Sequence, residues 1–215
     1  MTTPIKVLIV LAILFLAWVA WGYFSVRSIE QPPYELLSEK DGIEVRQYDS
    51  YIVAETTLEA GYREGLNSGF MVVADYIFGN NTKQTDIAMT APVISEDSPA
   101  VSEEIAMTTP VFSEEEGEKK RTIGFVMPSK YTAETLPKPN NDAVTIREVP
   151  AQKVAVLRFS GWATEAKVER YRATFLEKLQ EQGFEVSGKP RLAQYNPPWT
   201  PPFMRRNEFM IDVQD

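Results

Sequence analysis

Cysteine and histidine are both absent from the 215 residues. Without cysteine there is no disulfide framework, no thiol nucleophile and no site for a lipoprotein anchor, and the compartment cannot be read from cysteine usage. Without histidine the chain loses the commonest general base and the commonest transition-metal and haem ligand. Ser-His and Cys-His nucleophilic catalysis are thereby excluded. Basic residues are also in the minority, 22 against 30 acidic ones, for a formal charge of −8. That balance favours solubility and argues against non-specific binding of nucleic acid or anionic lipid. No phosphate-cradling glycine motif is present. No carboxylate pair is singled out by its spacing either, so a binding role is expected rather than an enzymatic one.

What is present first is an uncharged apolar run, Val7 to Phe24. At a rise of about 1.5 Å per residue it crosses most of a hydrocarbon core of roughly 30 Å. Trp18, Trp21 and Tyr23 gather at its C-terminal end, where amphipathic rings favour the lipid–water boundary. Residues 1–27 are therefore expected to be a single-pass anchor. A cleaved secretory signal is the competing reading, with Ala20-Trp21-Gly22 as the only small-residue site. Lys6 and Arg27 balance one another as topology signals, and the short N-terminal tail favours an extracytoplasmic domain. Residues 28–33 read as a polar tether, and 34–215 as one domain.

Within that domain, Ile43 to Thr57 reads as two strands joined around Asp49-Ser50. Gly61 to Phe78 reads as a helix closed by Gly79. The segment IAMTAPV at 87–93 recurs as IAMTTPV at 105–111. Both copies look strand-like, with Met and Ile turned inward. The acid run around Glu114 to Glu118 and the basic run Lys119 to Arg121 suggest a hairpin tip. Val144 to Phe159 reads as paired strands around Pro150. Thr164 opens a helix that Gly183 stops, with Val168, Tyr171, Phe175 and Leu179 on its buried face. Arg191 to Tyr195 and Asn207 to Val213 look like closing strands. Aligning 43–56 with 144–157 matches Arg46 with Arg147, Val53 with Val154 and Ala54 with Ala155. The order strand-strand-helix-strand thus appears twice, suggesting two related halves of an α+β fold.

These residues resemble the SOUL haem-binding family from about Tyr34 onward. The segments that carry the resemblance are YELLSEKDGIEVRQY (34–48), the two IAMT-x-PV copies, FVMPSKYTAETLPKPN (125–140), REVPAQKVAVLRFSGW (147–162) and YNPPWTPPFMRRNE (195–208). The resemblance implies a distorted antiparallel β-barrel of two pseudo-repeated βαβ-type halves with two long flanking helices. It also implies a tetrapyrrole, haem above all, bound beside the first helix and the loop before the last strand.

Such a plate needs exposed apolar area, groups for its propionates and optionally an axial donor. On the first helix Leu66, Phe70, Val73 and Ile77 form the stripe expected to face the sheet. Asn67, Met71, Ala74 and Phe78 form a neighbouring flank, either packed or open to ligand. In the loop, Trp199, Phe203 and Met204 offer apolar surface, while Arg205 and Arg206 could pair with propionates or with acidic neighbours. The resemblance implies basic residues on the first helix, but Asn67 and Asp75 stand there. Axial donors are restricted to Met71, Met204, Tyr62, Tyr195 or a lysine, so the metal ligand is unassigned. The alternative ligand is another amphipathic small molecule or lipid in the same cleft, without a metal.

Overall fold

The structure, a computed structural model, describes residues 3–83, 101–115 and 120–214. In chain order the elements are α1 (Thr3–Arg27), β1 (Tyr34–Lys40), β2 (Ile43–Tyr48), β3 (Tyr51–Glu59), α2 (Tyr62–Ile77), β4 (Asn81–Thr82), β5 (Val111–Glu115) and β6 (Lys120–Val126). They continue with β7 (Lys138–Pro139), β8 (Thr145–Val149), β9 (Gln152–Phe159), α3 (Glu165–Glu181), β10 (Val186–Gln194) and β11 (Asn207–Val213). The α+β class expected from the sequence is therefore present. The chain forms two compact units, one of 1–30, 35–47 and 153–215, the other of 31–34 and 48–152.

In the first unit the strands run β1-β2-β9-β11-β10. β11 pairs antiparallel with both neighbours, Phe209 lying opposite Leu157 on one side and Leu192 on the other. Helix α3 buries Val168, Phe175 and Leu179 at the expected helical spacing, and Phe175 stacks on Phe209. Thr164 holds the N-cap position, yet its hydroxyl makes no capping bond. The helix ends at Gln182, and Gly183 follows at φ 75°.

The second unit carries the strand order β5-β6-β3-β8, with α2 packed on β3 and β6. Gly65 and Gly69 let the helix lie close to the sheet. A Cβ on Gly69 would stand 2.5 Å from Ile123 Cγ1. Around this contact Ala54, Val73, Tyr76, Ile77, Ile123 and Phe125 form the core. β5 and β6 pair antiparallel, and the tip expected between the acid and basic runs, 116–119, lies outside the described residues.

Two expectations change. Val144 to Phe159 does give two strands around Pro150, but they do not pair with each other: β8 joins β3, and β9 joins β2 and β11. Each repeated half thus sends its first strand to the other half's sheet. Pairing is a tertiary choice that local alternation cannot encode. The second IAMT copy is also not a ladder strand before Val111. Ile105 points inward and gives its N–H to Ile77 O at 2.9 Å, but Met107 is exposed. A cis Thr109–Pro110 bond precedes β5. The first copy, 87–93, lies outside the described residues.

Candidate functional site

In the second unit the inward face of α2 is fixed by its glycines and by Tyr76, whose hydroxyl donates to Pro137 O at 2.8 Å. Burial pushes the Tyr76 phenol well above its ordinary pKa, with a smaller contribution from Tyr131. Fixing that face leaves the other toward solvent. Met71 is 65% exposed and Phe78 58% exposed. Asn67 is exposed as well, and Phe70 shows one edge while its ring lies 5.2 Å from that of Phe125. Ala74, expected on this flank, turns into the core instead. Beside the flank Asp75 accepts a hydrogen bond from Asn80 Nδ2 at 2.5 Å. Tyr62 lies under the Arg121 guanidinium, 4.9 Å from its ring centroid.

The first unit carries the proline-aromatic loop between β10 and β11. Trp199 is 55% and Phe203 59% exposed, and Trp162 is exposed nearby. Arg205 lies 3.6 Å over the Trp162 ring and donates to Thr200 O at 3.0 Å and to Pro198 O. Its guanidinium therefore shapes the loop. Arg206 takes the second of the two roles open to it: it bonds Glu208 at 2.8 Å and lies 3.8 Å over the Tyr195 ring. Phe203, Met204 and Arg205, with Arg158, Phe159, Ser160 and Tyr171, line an open cleft of about 600 Å³.

Behind the loop lies an ionic cluster that sequence reasoning missed. Arg46 on β2 is 1% exposed and Glu208 on β11 is 0% exposed. Arg46 donates to Glu208 through both terminal nitrogens, at 2.9 and 3.0 Å, and to Glu44 through Nε at 2.8 Å. Tyr195 donates its hydroxyl to Glu208 at 2.7 Å. Burial opposes ionisation of Glu208, but the Arg46 and Arg206 guanidiniums hold its pKa below the ordinary range. Burial likewise opposes the Arg206 charge, yet Tyr195 and Glu208 raise its pKa. The repeat-matched Arg147 also grips a carboxylate with two prongs in the other unit, donating to Glu55 through Nε at 2.9 Å and Nη2 at 2.8 Å. In IEVRQY both Glu44 and Arg46 fall on the polar positions of the alternation, so the strand pattern gives no sign that Arg46 is buried.

Helix α1 is long and apolar enough from Pro4 to Arg27 to cross a membrane. One of its faces meets the proline-aromatic loop. Phe15 lies 6.2 Å from Phe203 between ring centroids, and Trp18 Nε1 donates to Trp199 O at 2.8 Å. Gly22 is buried, and a Cβ there would stand 2.6 Å from Pro201 Cδ. Residues 15, 18 and 22 recur at helical spacing, so the contact is a continuous stripe.

The family described as SOUL heme-binding protein matches residues 29–103 and 97–212. Heme-binding protein 2 of Mus musculus is 26% identical over 162 residues, which is 73% of this chain and 73% of that protein. Heme-binding protein 1 of Xenopus laevis is 25% identical over 173 residues, 79% of this chain and 84% of that one. Among solved structures, the EcmrR C-terminal domain superposes with a TM-score of 0.54 at 11% identity, covering 85% of this chain and 98% of that one. A protein described as a hydrolase from Listeria innocua reaches 0.50 at 12% identity, covering 83% and 94%. At such identities the structural likeness speaks for the fold alone.

Proposed function

The chain belongs to the SOUL heme-binding protein family, and we propose that it is a non-enzymatic binding module for haem or a related tetrapyrrole, held at a membrane by α1. The observation that carries this reading is the open flank of α2. A helix whose opposite face is fully packed keeps Met71 and Phe78 in water. Burying such side chains against a ligand is worth about 1.5–3 kcal/mol each. Asn67 and Phe70 extend the same surface, and Met71 would offer its thioether as an axial donor in a chain with no histidine. In the other unit the proline-aromatic loop is taken up by its own contacts, Arg205 bracing Pro198 O and Thr200 O while Phe203 meets Phe15. The packing of Gly22 and Trp18 against that loop supports an uncleaved α1. The net charge of −8 supports a partner other than nucleic acid.

Hemin titrated into the full chain in detergent micelles, against protein-free micelles, should give a saturable Soret shift at micromolar concentration. Phe78→Ala should weaken it by about tenfold, or ~1.4 kcal/mol. A wild-type titration without saturation would end the proposal. A second reading, an amphipathic ligand or lipid without a metal, is favoured by Asp75 beside the flank, where a carboxylate repels a propionate. Apolar-dye binding that hemin cannot displace, but a lipid extract can, would favour it.

A further inference from the structure

We infer that the proline-aromatic loop, 197–204, is a second membrane contact that dips into the same bilayer as α1. This rests on the reading of α1 as a membrane span. Three observations point to lipid as the occupant. The first is continuity: Phe203 meets Phe15 and Pro201 meets Gly22, so the loop lies along the apolar helix itself. At about 1.5 Å per residue, Phe15 is roughly 10 Å nearer the helix N-terminus than Gly22. Counted from Phe24, the end of the apolar run, Phe15 lies about 14 Å along the helix, so the loop lies beside the span rather than beyond its end.

The second observation is the backbone. Non-helical chain enters a bilayer only when its backbone polar groups are satisfied within the protein. Here six consecutive carbonyls all accept hydrogen bonds. Pro197 O takes Thr200 N–H at 3.1 Å, Pro201 O takes Met204 N–H at 2.9 Å, and Pro202 O takes Arg205 N–H at 3.1 Å. Pro198 O and Thr200 O take the Arg205 side chain, and Trp199 O takes Trp18 Nε1. The four prolines at 197, 198, 201 and 202 carry no N–H to desolvate. The third observation is the surface: Trp199, Phe203 and Trp162 are large apolar rings left exposed, and tryptophan favours the headgroup boundary.

The absence of native cysteine gives a clean background for site-directed spin labels on the full chain in phosphatidylcholine vesicles. Labels at Phe203→Cys, Leu14→Cys and Asp142→Cys would be compared for collision with oxygen, which enters lipid, and with a water-soluble nickel chelate. The expected result is oxygen preference at positions 14 and 203 and nickel preference at 142. A label at Trp199→Cys should also prefer oxygen, guarding against disturbance by loss of the Phe203 ring. Nickel preference at 199 and 203 with oxygen preference at 14 overturns the loop contact and leaves the span standing. Nickel preference at 14 removes the span and the inference together. Protection of 203 from both reagents means a protein surface covers the loop, and that also overturns it.

Discussion

Glu208→Gln keeps the shape of a fully buried side chain and removes its charge. Arg46 and Arg206 would then stand beside a neutral amide, whose NH₂ faces donors at 2.7–3.0 Å. Glu44, partly exposed, would remain beside Arg46. Removing one partner of a buried pair costs about 3–5 kcal/mol, a large share of the roughly 5–15 kcal/mol that a domain commands. With a urea slope of about 2 kcal/mol per molar, the midpoint should fall by roughly 2 M. Tryptophan emission of the full chain in micelles would follow the transition. The pH dependence gives a second reading of the same group. The folded-state pKa of Glu208 is lowered, so between it and the ordinary carboxylate value the unfolded chain binds more protons. Its stabilisation is complete above about pH 4.3 and is lost as pH falls through the depressed folded value. Glu208→Gln should flatten that part of the acid profile. A midpoint shift below about 0.5 M, together with an unchanged acid profile, would refute the assignment of Glu208 as the anion holding β2 to β11.

Two further substitutions probe the other unit. Gly69→Val should destabilise it by about 1–3 kcal/mol through overpacking against Ile123, visible as a lower urea midpoint. Tyr76→Phe should cost about 1 kcal/mol by orphaning Pro137 O. In the wild type, one phenol should resist ultraviolet titration beyond the ordinary tyrosine range until the protein unfolds, and that signal should vanish in the variant.

Much of the architecture is legible in the residues because it is local. The spacing of Val168, Phe175 and Leu179 and the breakers Gly61 and Gly79 delimit α3 and α2 nearly to the residue. Asp49-Ser50 marks the turn between β2 and β3. What stays hidden is what depends on distant partners. Arg46 and Glu208 stand 162 positions apart, and no periodicity joins them. Ala74 shares a helical flank with Met71 and Phe78 by angle alone, but its small side chain sits within the width of the buried face. Arg205 and Arg206 are adjacent and chemically alike, yet one braces the loop and the other joins the ionic cluster. A helical wheel cannot tell these apart, because loop geometry decides them.

The exchange of strands between the repeated halves sets an order for assembly at the ribosome. The unit of 48–152 is nearly contiguous and can fold once β8 has emerged. The other unit is interrupted by it: β1 and β2 are synthesised early but must wait for β9, β11 and β10 from the last third of the chain. Long-range pairing of this kind is slow, and domains tend to fold as units during synthesis. A nascent chain arrested after residue 152 should therefore carry one finished unit and a β1-β2 pair still lacking β9 at its inner edge, and a C-terminal deletion should injure the unit that holds the N-terminus.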